Sequence, residues 1–357
     1  MKKVLFLGKR VDTISQAQYE PFIYYRQQLL DELNLTIKYL NIETLNEIKQ
    51  LCQKYDSEIV FIQPFWREKP DEVEMILREI RSDYPDRKLI FIDPWSQASS
   101  KYFKVLPYVD KFLKRQCYKN RQDYHQKFIG GSRFTHFLAN TWNLDFEQWY
   151  VGSEVPQGYE ERIMPGWNLG TAKRYKKALQ RSKGWLWSRL HPKNIDVFCR
   201  MSFGNRDNKE WYYEYRKSAI DALDPLSSNS NYRVAISGSF VDSLVPNSQY
   251  QREIKSSKIV VSPFGWGEGC WRDFEAVCYD CLLIKPSMAH LETDPNIFIE
   301  GETYVAVNWD FSDVVEKCLY YLEHNDEAQR IIKNARRVYE HYFENTKFVQ
   351  TIKHCIY

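Results

Sequence analysis

The sequence predicts an α/β protein built from two Rossmann-like domains that face each other across a cleft. Three observations carry this prediction. The chain of 357 residues exceeds the usual size of one hydrophobic core, so two domains of about 150 to 180 residues each are expected. Short apolar runs alternate with longer amphipathic stretches in two successive series, the pattern of parallel βαβ units. An irregular segment with Gly and Pro separates the two series.

In the first series, strands are expected at Val4–Gly8, Thr36–Leu40, Glu58–Gln63, Lys88–Asp93 and Lys111–Leu113, with helices at Phe22–Leu33, Leu45–Lys54 and Asp71–Asp83. Pro70 suits the start of the last helix and Pro85 stops it. Two strands run into Gln63-Pro64-Phe65-Trp66 and Asp93-Pro94-Trp95-Ser96, and in open α/β sheets ligands bind at that edge. The start, MKKVLFLGKR, reads as a buried strand because its apolar run is too short for a signal peptide. No run approaches the roughly 20 apolar residues of a membrane span.

The pattern breaks at Val155-Pro156-Gln157-Gly158 and Met164-Pro165-Gly166-Trp167. The expected division is an N-terminal domain 1–165, a basic and aromatic linker 166–193, a C-terminal domain 194–345, and a last segment 346–357 that crosses back to the first domain. The second series predicts strands at Ile195–Arg200, Arg233–Ser237, Lys258–Ser262 and Leu282–Lys285, and helices at Glu210–Leu223, Asp273–Tyr279, Phe311–His324 and Asp326–Phe343.

The composition, 43% apolar and 27% charged, is that of a globular protein and excludes a largely disordered chain. The 16% aromatic content, with 25 Tyr and 11 Trp, favours stacking on sugar rings or bases, although aromatics also fill cores. A net charge of +3 is too small for nucleic-acid binding over the whole surface. Eight scattered cysteines read as reduced thiols of a cytoplasmic protein. Cys278 and Cys281 form a CxxC that lacks a second ligand pair, so no metal site is expected.

The densest signal runs from Lys258 to Ala276, a buried strand that opens into a glycine-rich turn and then a helix. Gly265, Gly267 and Gly269 permit close backbone approach, and the helix N-terminus offers N–H groups to an anion such as a diphosphate. Arg272 adds a cation, and Glu275 is placed to accept hydrogen bonds from two vicinal hydroxyls, as on a ribose. The bland alternative is a tight turn in which Arg272 and Glu275 pair with each other.

Through Ser256–Gly265, Arg272–Ala276 and Cys281–Pro286 the chain resembles the GT-B glycosyltransferases, within them the group-1-like and exostosin-like C-terminal domains. The resemblance implies that Glu275 holds the donor ribose and Arg272 contacts the diphosphate. The family pattern has a further Glu eight residues before the ribose Glu. Here that position is Gly267, and Glu268, which follows it, is expected to contact the donor. Arg200, with Ser202 and Gly204, falls on a loop that faces the donor phosphates in such enzymes, and Pro286, Met288, His290 and Glu292 fall where the base or sugar pocket is lined.

The expected activity is transfer of a sugar from a nucleotide-diphosphate donor to a glycan or lipid-linked acceptor, without metal or cofactor. A nucleotide-sugar epimerase of the same fold and a non-catalytic carbohydrate-binding protein are the alternatives. A catalytic base is expected from the N-terminal domain, at Asp12 or Asp93, with His125 or His136 as further candidates. No Asp-x-Asp stands at a strand end, which argues against a metal-dependent GT-A enzyme. Lys173, Arg174, Lys176, Lys177, Trp185 and Trp187 lie in a stretch without acidic residues and suit a membrane surface or a lipid-diphosphate acceptor. No nucleic-acid partner is expected.

Overall fold

The computed structural model describes residues 1–146, 152–203, 211–237 and 245–357. In the first half the elements are β1 (Lys2–Gly8), α1 (Thr13–Tyr24), α2 (Arg26–Leu33), β2 (Leu35–Asn41), α3 (Asn46–Lys54), β3 (Ile59–Gln63), α4 (Pro70–Asp83), β4 (Lys88–Ile92), β5 (Lys111–Lys114), β6 (Gln116–Tyr118), α5 (Arg133–Trp142) and β7 (Ile163–Pro165). Six strands form one parallel sheet in the order β2-β1-β3-β4-β5-β7. Of its central strands, β3 is buried from end to end and β4 in all but Lys88, as expected of a parallel sheet covered on both faces. Pro70 at the first turn of α4, followed by Asp71 and Glu72, provides a fixed φ and complements the helix dipole.

The single helix expected at Phe22–Leu33 is two helices that meet at Tyr25, and the first begins at Thr13. Asp12 and Ser15 start it with a reciprocal capping box. Its inward face includes Ser15, Ala17 and Gln18, small and polar residues that hide the helical period in the sequence.

The chain continues through α6 (Lys173–Arg181), α7 (Gly184–Leu190), β8 (Ile195–Cys199), α8 (Tyr213–Ala222), α9 (Asp224–Ser227), β9 (Val234–Ile236), α10 (Asn247–Lys255), β10 (Ser257–Val261), α11 (Trp271–Cys278), β11 (Leu282–Pro286), β12 (Leu291–Thr293), β13 (Val305–Val307), α12 (Val314–Glu323), α13 (Asn325–Glu344) and α14 (Lys347–Ile356). Five of these strands form a second parallel sheet, β13-β11-β10-β8-β9. Gly204 and Glu210 lie outside the described residues.

Two features join the halves. Strands β6 and β12 pair antiparallel, Tyr118 opposite Leu291 and Gln116 opposite Thr293. Helix α14 returns to the first domain, where the Phe348 ring packs edge-on at 5.1 Å from Phe22 and 5.0 Å from Trp167. Lys88 Nζ donates to the Ile356 carbonyl at 2.9 Å and holds the end of that helix.

The basic stretch divides. Lys173 and Lys176 reach over the Tyr24 ring of α1, at 5.0 and 5.5 Å. Two of the side chains expected on a lipid surface also pack on aromatic rings, Arg174 while still exposed. Arg174 lies over the Trp271 ring at 4.1 Å and donates to the Tyr175 hydroxyl, and Trp187 stacks on Tyr279 at 5.9 Å. Trp185, Leu186 and Leu190 are exposed at 72%, 56% and 64%.

Candidate functional site: a basic cavity between the domains

The carboxyl ends of both sheets open on the cleft, and the glycine loop between β10 and α11 forms its floor. A cavity of about 400 Å3 lies there, lined by Ile14, Ser96, Arg115 and Leu169 from the first half and by Arg200, Ser202, Arg216, Tyr250, Trp266, Cys270 and Arg272 among others from the second. Four of its walls are arginines, and their states differ.

Arg200 is neutralised. Glu253 holds its guanidinium at both Nε and Nη2, the latter at 3.0 Å from Oε1, and Nη1 donates to the Ile236 carbonyl at 2.7 Å. It lines the cavity as expected of a donor-site residue, but its charge is already met by a carboxylate, which leaves it less to offer an anion. Arg272 is buried and donates to Ser262 Oγ at 3.2 Å, to the Arg200 carbonyl at 2.8 Å and to the Pro263 carbonyl at 3.2 Å. It braces the loop, and among the described residues no carboxylate pairs with its guanidinium.

Arg115 and Arg216 stand out. Arg115 donates through Nη2 to the Pro94 carbonyl at 3.2 Å and Ser96 Oγ at 2.9 Å, and its buried Nε has no partner. Burial pushes it down to about 10, against the opposing charges of Asp93 and Asp12. Arg216 donates to the Ser202 and Phe264 carbonyls and lies over the Tyr212 ring at 4.2 Å. Burial lowers its pKa too. Among the described residues neither forms an ion pair, so both are desolvated cations that an anion would stabilise.

The glycine loop is shaped mainly by protein contacts. A Cβ on Gly267 would come 2.2 Å from the Ser96 carbonyl oxygen, and one on Gly265 would come 2.6 Å from Arg216 Nη2. A Cβ on Gly269 would meet only Gln116 Oε1, at 3.4 Å. Gly265 and Gly267 thus allow the loop to reach an arginine and the opposite domain. The start of α11 is closed by Asp273, which accepts from the Cys270 N–H at 2.8 Å and from Ser262 Oγ at 2.5 Å, with Lys285 Nζ 3.2 Å away.

A second cavity, of about 300 Å3, adjoins the first through Ile14, Ser96 and Trp266, which line both. Asp12, Gln63, Phe65, Trp66, Arg67 and Trp95 are among its walls. Of the described residues that line the two cavities, Asp12 alone is acidic.

Comparison with known proteins agrees with this architecture. Residues 216–353 match the family model described as glycosyl transferase-like. The α,α-trehalose 6-phosphate synthase of Burkholderia multivorans superposes with a TM-score of 0.50 at 9% identity, over 99% of this chain and 97% of that one. The chain has the two-domain GT-B fold, and its residues 216–353 are similar to the glycosyl transferase-like family. Further similar structures are a glycosyltransferase from Rickettsia africae, TM-score 0.47 at 12% identity over 99% of each chain, and S. aureus MnaA with UDP, TM-score 0.49 at 12% identity over 99% and 96%. No curated protein sequence matches the chain.

Within this GT-B frame the expected site residues separate. Glu275 accepts from the Tyr250 hydroxyl at 2.8 Å, and Tyr250 lines the cavity. Burial raises its carboxyl pKa, opposed by that hydrogen bond and by Arg174 and Arg272. It does not pair with Arg272.

Glu268 and His290 sit in the domain junction and off both cavities, which corrects their expected donor contact. Glu268 is fully buried and accepts from Gln116 Nε2, a group that also donates to the Ser96 carbonyl at 3.0 Å. His290 Nε2 lies 3.9 Å from Glu268 Oε1, with the His290 ring 6.2 Å from Tyr118 and 5.1 Å from Trp309. Glu292 pairs with Arg121 at 2.9 Å.

Asp93 is corrected as a base, since it is wholly buried, ion-paired with Lys114 and bonded to the Trp95 N–H at 3.1 Å. His125 pairs with Glu160 at 2.6 Å, and His136 Nδ1 accepts from the Ile129 N–H, both away from the cavities. Asp12 caps α1 through Oδ1, at 2.7 Å from the Ser15 N–H, and faces the second cavity.

Sequence reading missed Arg115 and Arg216. Arg115 lies two residues beyond the expected Lys111–Leu113 strand and Arg216 lies in an expected helix, so neither belongs to a local motif. Among the described residues no three His, Cys, Asp or Glu side chains gather as a metal-ligand group.

Proposed function

We propose that this protein transfers a glycosyl group from a nucleoside diphosphate sugar to a carbohydrate or lipid-linked acceptor, with the diphosphate bound in the basic cavity and no metal required. The observation that carries the reading is a pair of arginines that have no carboxylate partner among the described residues, the buried Arg115 from one domain and the half-buried Arg216 from the other, on either side of the glycine loop. Charge develops on the diphosphate as its bond to the anomeric carbon breaks, and fixed cations in a water-poor cleft stabilise that charge. Arg272 adds a third cation, and Glu275, beside Tyr250, is the proposed ribose acceptor. Asp12 is the proposed base, taking the acceptor's hydroxyl proton as the acceptor oxygen bonds to the anomeric carbon.

Isothermal titration with UDP tests the donor site. Each of Arg115→Ala and Arg216→Ala removes charge-assisted hydrogen bonds worth about 1.5–3 kcal/mol, so affinity is expected to fall on the order of 10- to 100-fold. Unchanged UDP affinity in both variants rejects the site. Turnover of the donor to an isomer without acceptor would replace the transferase reading by the epimerase one.

Exposed Trp185, Leu186 and Leu190 beside Lys177, Arg181 and Arg189 support contact of α7 with an anionic lipid surface, where a lipid-linked acceptor would reside. Among the described residues no helix is long and apolar enough to cross a membrane. Eight free thiols favour a reducing compartment, and we place the enzyme in the cytoplasm.

A further inference from the structure

The cavity beside the basic cleft has a composition of its own. Three indoles wall it: Trp66 from the loop after β3, Trp95 from the loop after β4, and Trp266 from the glycine loop. Their ring centroids are 6.1, 6.2 and 6.4 Å apart, with interplanar angles of 53°, 50° and 82°. All three side chains are partly exposed. Walls at such mutual tilts do not form the parallel slot that a flat base or aromatic ring stacks into. They suit a puckered ring that presents C–H groups on more than one side.

Charge narrows the ligand further. Aromatic cages often hold organic cations, but here Arg67 already lies over Trp66 at 4.7 Å and Lys101 over Trp95 at 5.3 Å. A further cation would meet two like charges. The charged walls are one Asp12 and one Arg67, so the cavity carries no net charge to attract an anion.

Two buried polar atoms of the walls are unfilled. Gln63 Nε2 is held by Gln18 Oε1 at 2.8 Å and by the Ser15 carbonyl at 3.4 Å, while Gln63 Oε1 has no partner. Trp95 Nε1 has none either. One is an acceptor and the other a donor, and a hydroxyl group serves both roles. Both atoms belong to residues that line the cavity, where a small shift of the side chain would let a ligand hydroxyl complete them.

We infer that this cavity binds the neutral pyranose end of the acceptor, with its C–H faces against Trp66, Trp95 and Trp266 and its hydroxyls on Gln63 and Trp95. The inference rests on the transferase reading for the word acceptor, and the pocket's ligand class stands apart from it. Trp266 lines both cavities, so a ring held here abuts the donor site, and Asp12 in the same wall lies within the ligand's surroundings. The cavity of about 300 Å3 is at the lower end of small-ligand sites, roughly 300–1,000 Å3, which fits one terminal ring better than an extended chain.

Saturation-transfer NMR on the full chain tests it, with the methyl pyranosides of glucose, galactose, mannose and N-acetylglucosamine as probes and tetramethylammonium and indole as competitors. At least one pyranoside is expected to receive saturation at its ring C–H protons. Its binding should weaken about fivefold or more in Trp66→Leu and in Trp95→Leu, which keep apolar bulk but remove the π face. Neither competitor should displace it. The inference is overturned if no pyranoside binds, if binding is indifferent to both substitutions, or if tetramethylammonium or indole displaces the sugar. UDP titration of the same samples separates the two readings. Wild-type protein that binds a pyranoside but no UDP refutes the donor site alone, and UDP binding without any pyranoside refutes the cage alone.

Discussion

At the residue scale, the same side chain serves fold and chemistry at Asp12. Its Oδ1 closes the first turn of α1 on the Ser15 N–H, and the carboxylate is the one acidic group among the described residues lining the two cavities. Asn caps helices as well as Asp does, but it cannot accept a proton from a hydroxyl. Asp12→Asn therefore keeps the structural role and removes the proposed chemical one. The expected result is a fall in kcat on the order of 10²- to 10⁴-fold with KM for the acceptor and the melting temperature nearly unchanged. A variant that keeps its kcat, or that loses stability in proportion to activity, assigns Asp12 to capping only. Asp93 and Asp12 look alike in the sequence, each next to a turn at a strand end. What separates them is Lys114, 21 residues after Asp93, which reaches back to pair with it, and no local pattern encodes that contact.

At the element scale, legibility follows the range of the forces that form each element. Strands β1, β3, β4, β10 and β11 are apolar runs buried by helices on both faces, so their pattern is local and visible. The β6–β12 ribbon is three residues on each side, paired across 173 to 177 positions (Cys117 with Glu292, Gln116 with Thr293, Tyr118 with Leu291), and short segments of that kind carry no period. The glycine loop was visible as a motif, but two of its glycines answer to Arg216 and Ser96, partners set by the tertiary fold. Helix α7 is the reverse case, a pattern read as functional whose side chains divide between solvent and the protein. Its outward residues are Trp185, Leu186 and Leu190, with Trp187 turned in. In a sedimentation assay the protein is expected to bind phosphatidylglycerol vesicles and not phosphatidylcholine vesicles, with binding reduced about tenfold or more by Trp185→Ala combined with Leu186→Ala. Equal binding of wild type and variant removes α7 from any lipid contact.

At the scale of the whole molecule, the basic cavity proposed for the donor exists only while the two domains keep their approach, because Arg115 and Arg216 belong to opposite sides. That approach is set where Gly267 meets Ser96 and where Gln116 bonds both the Ser96 carbonyl and Glu268. A methyl at position 267 would stand 2.2 Å from the Ser96 oxygen and 2.6 Å from its carbonyl carbon, backbone atoms that cannot rotate away. Gly267→Ala is thus expected to force the loops apart and withdraw Arg115 from the ligand while Arg216, on the same side as the loop, stays. The energetic signature is a failure of additivity. UDP affinity should fall in Gly267→Ala by about the factor seen for Arg115→Ala, the double variant with Arg115→Ala should be no weaker than either single one, and the double variant with Arg216→Ala should show both losses. Gly269→Ala, whose methyl would meet only Gln116 Oε1 at 3.4 Å, is the control and should bind as wild type. Additive losses in the Gly267→Ala and Arg115→Ala pair would mean that the junction does not position Arg115, and the cleft would then bind its donor from the C-terminal domain alone.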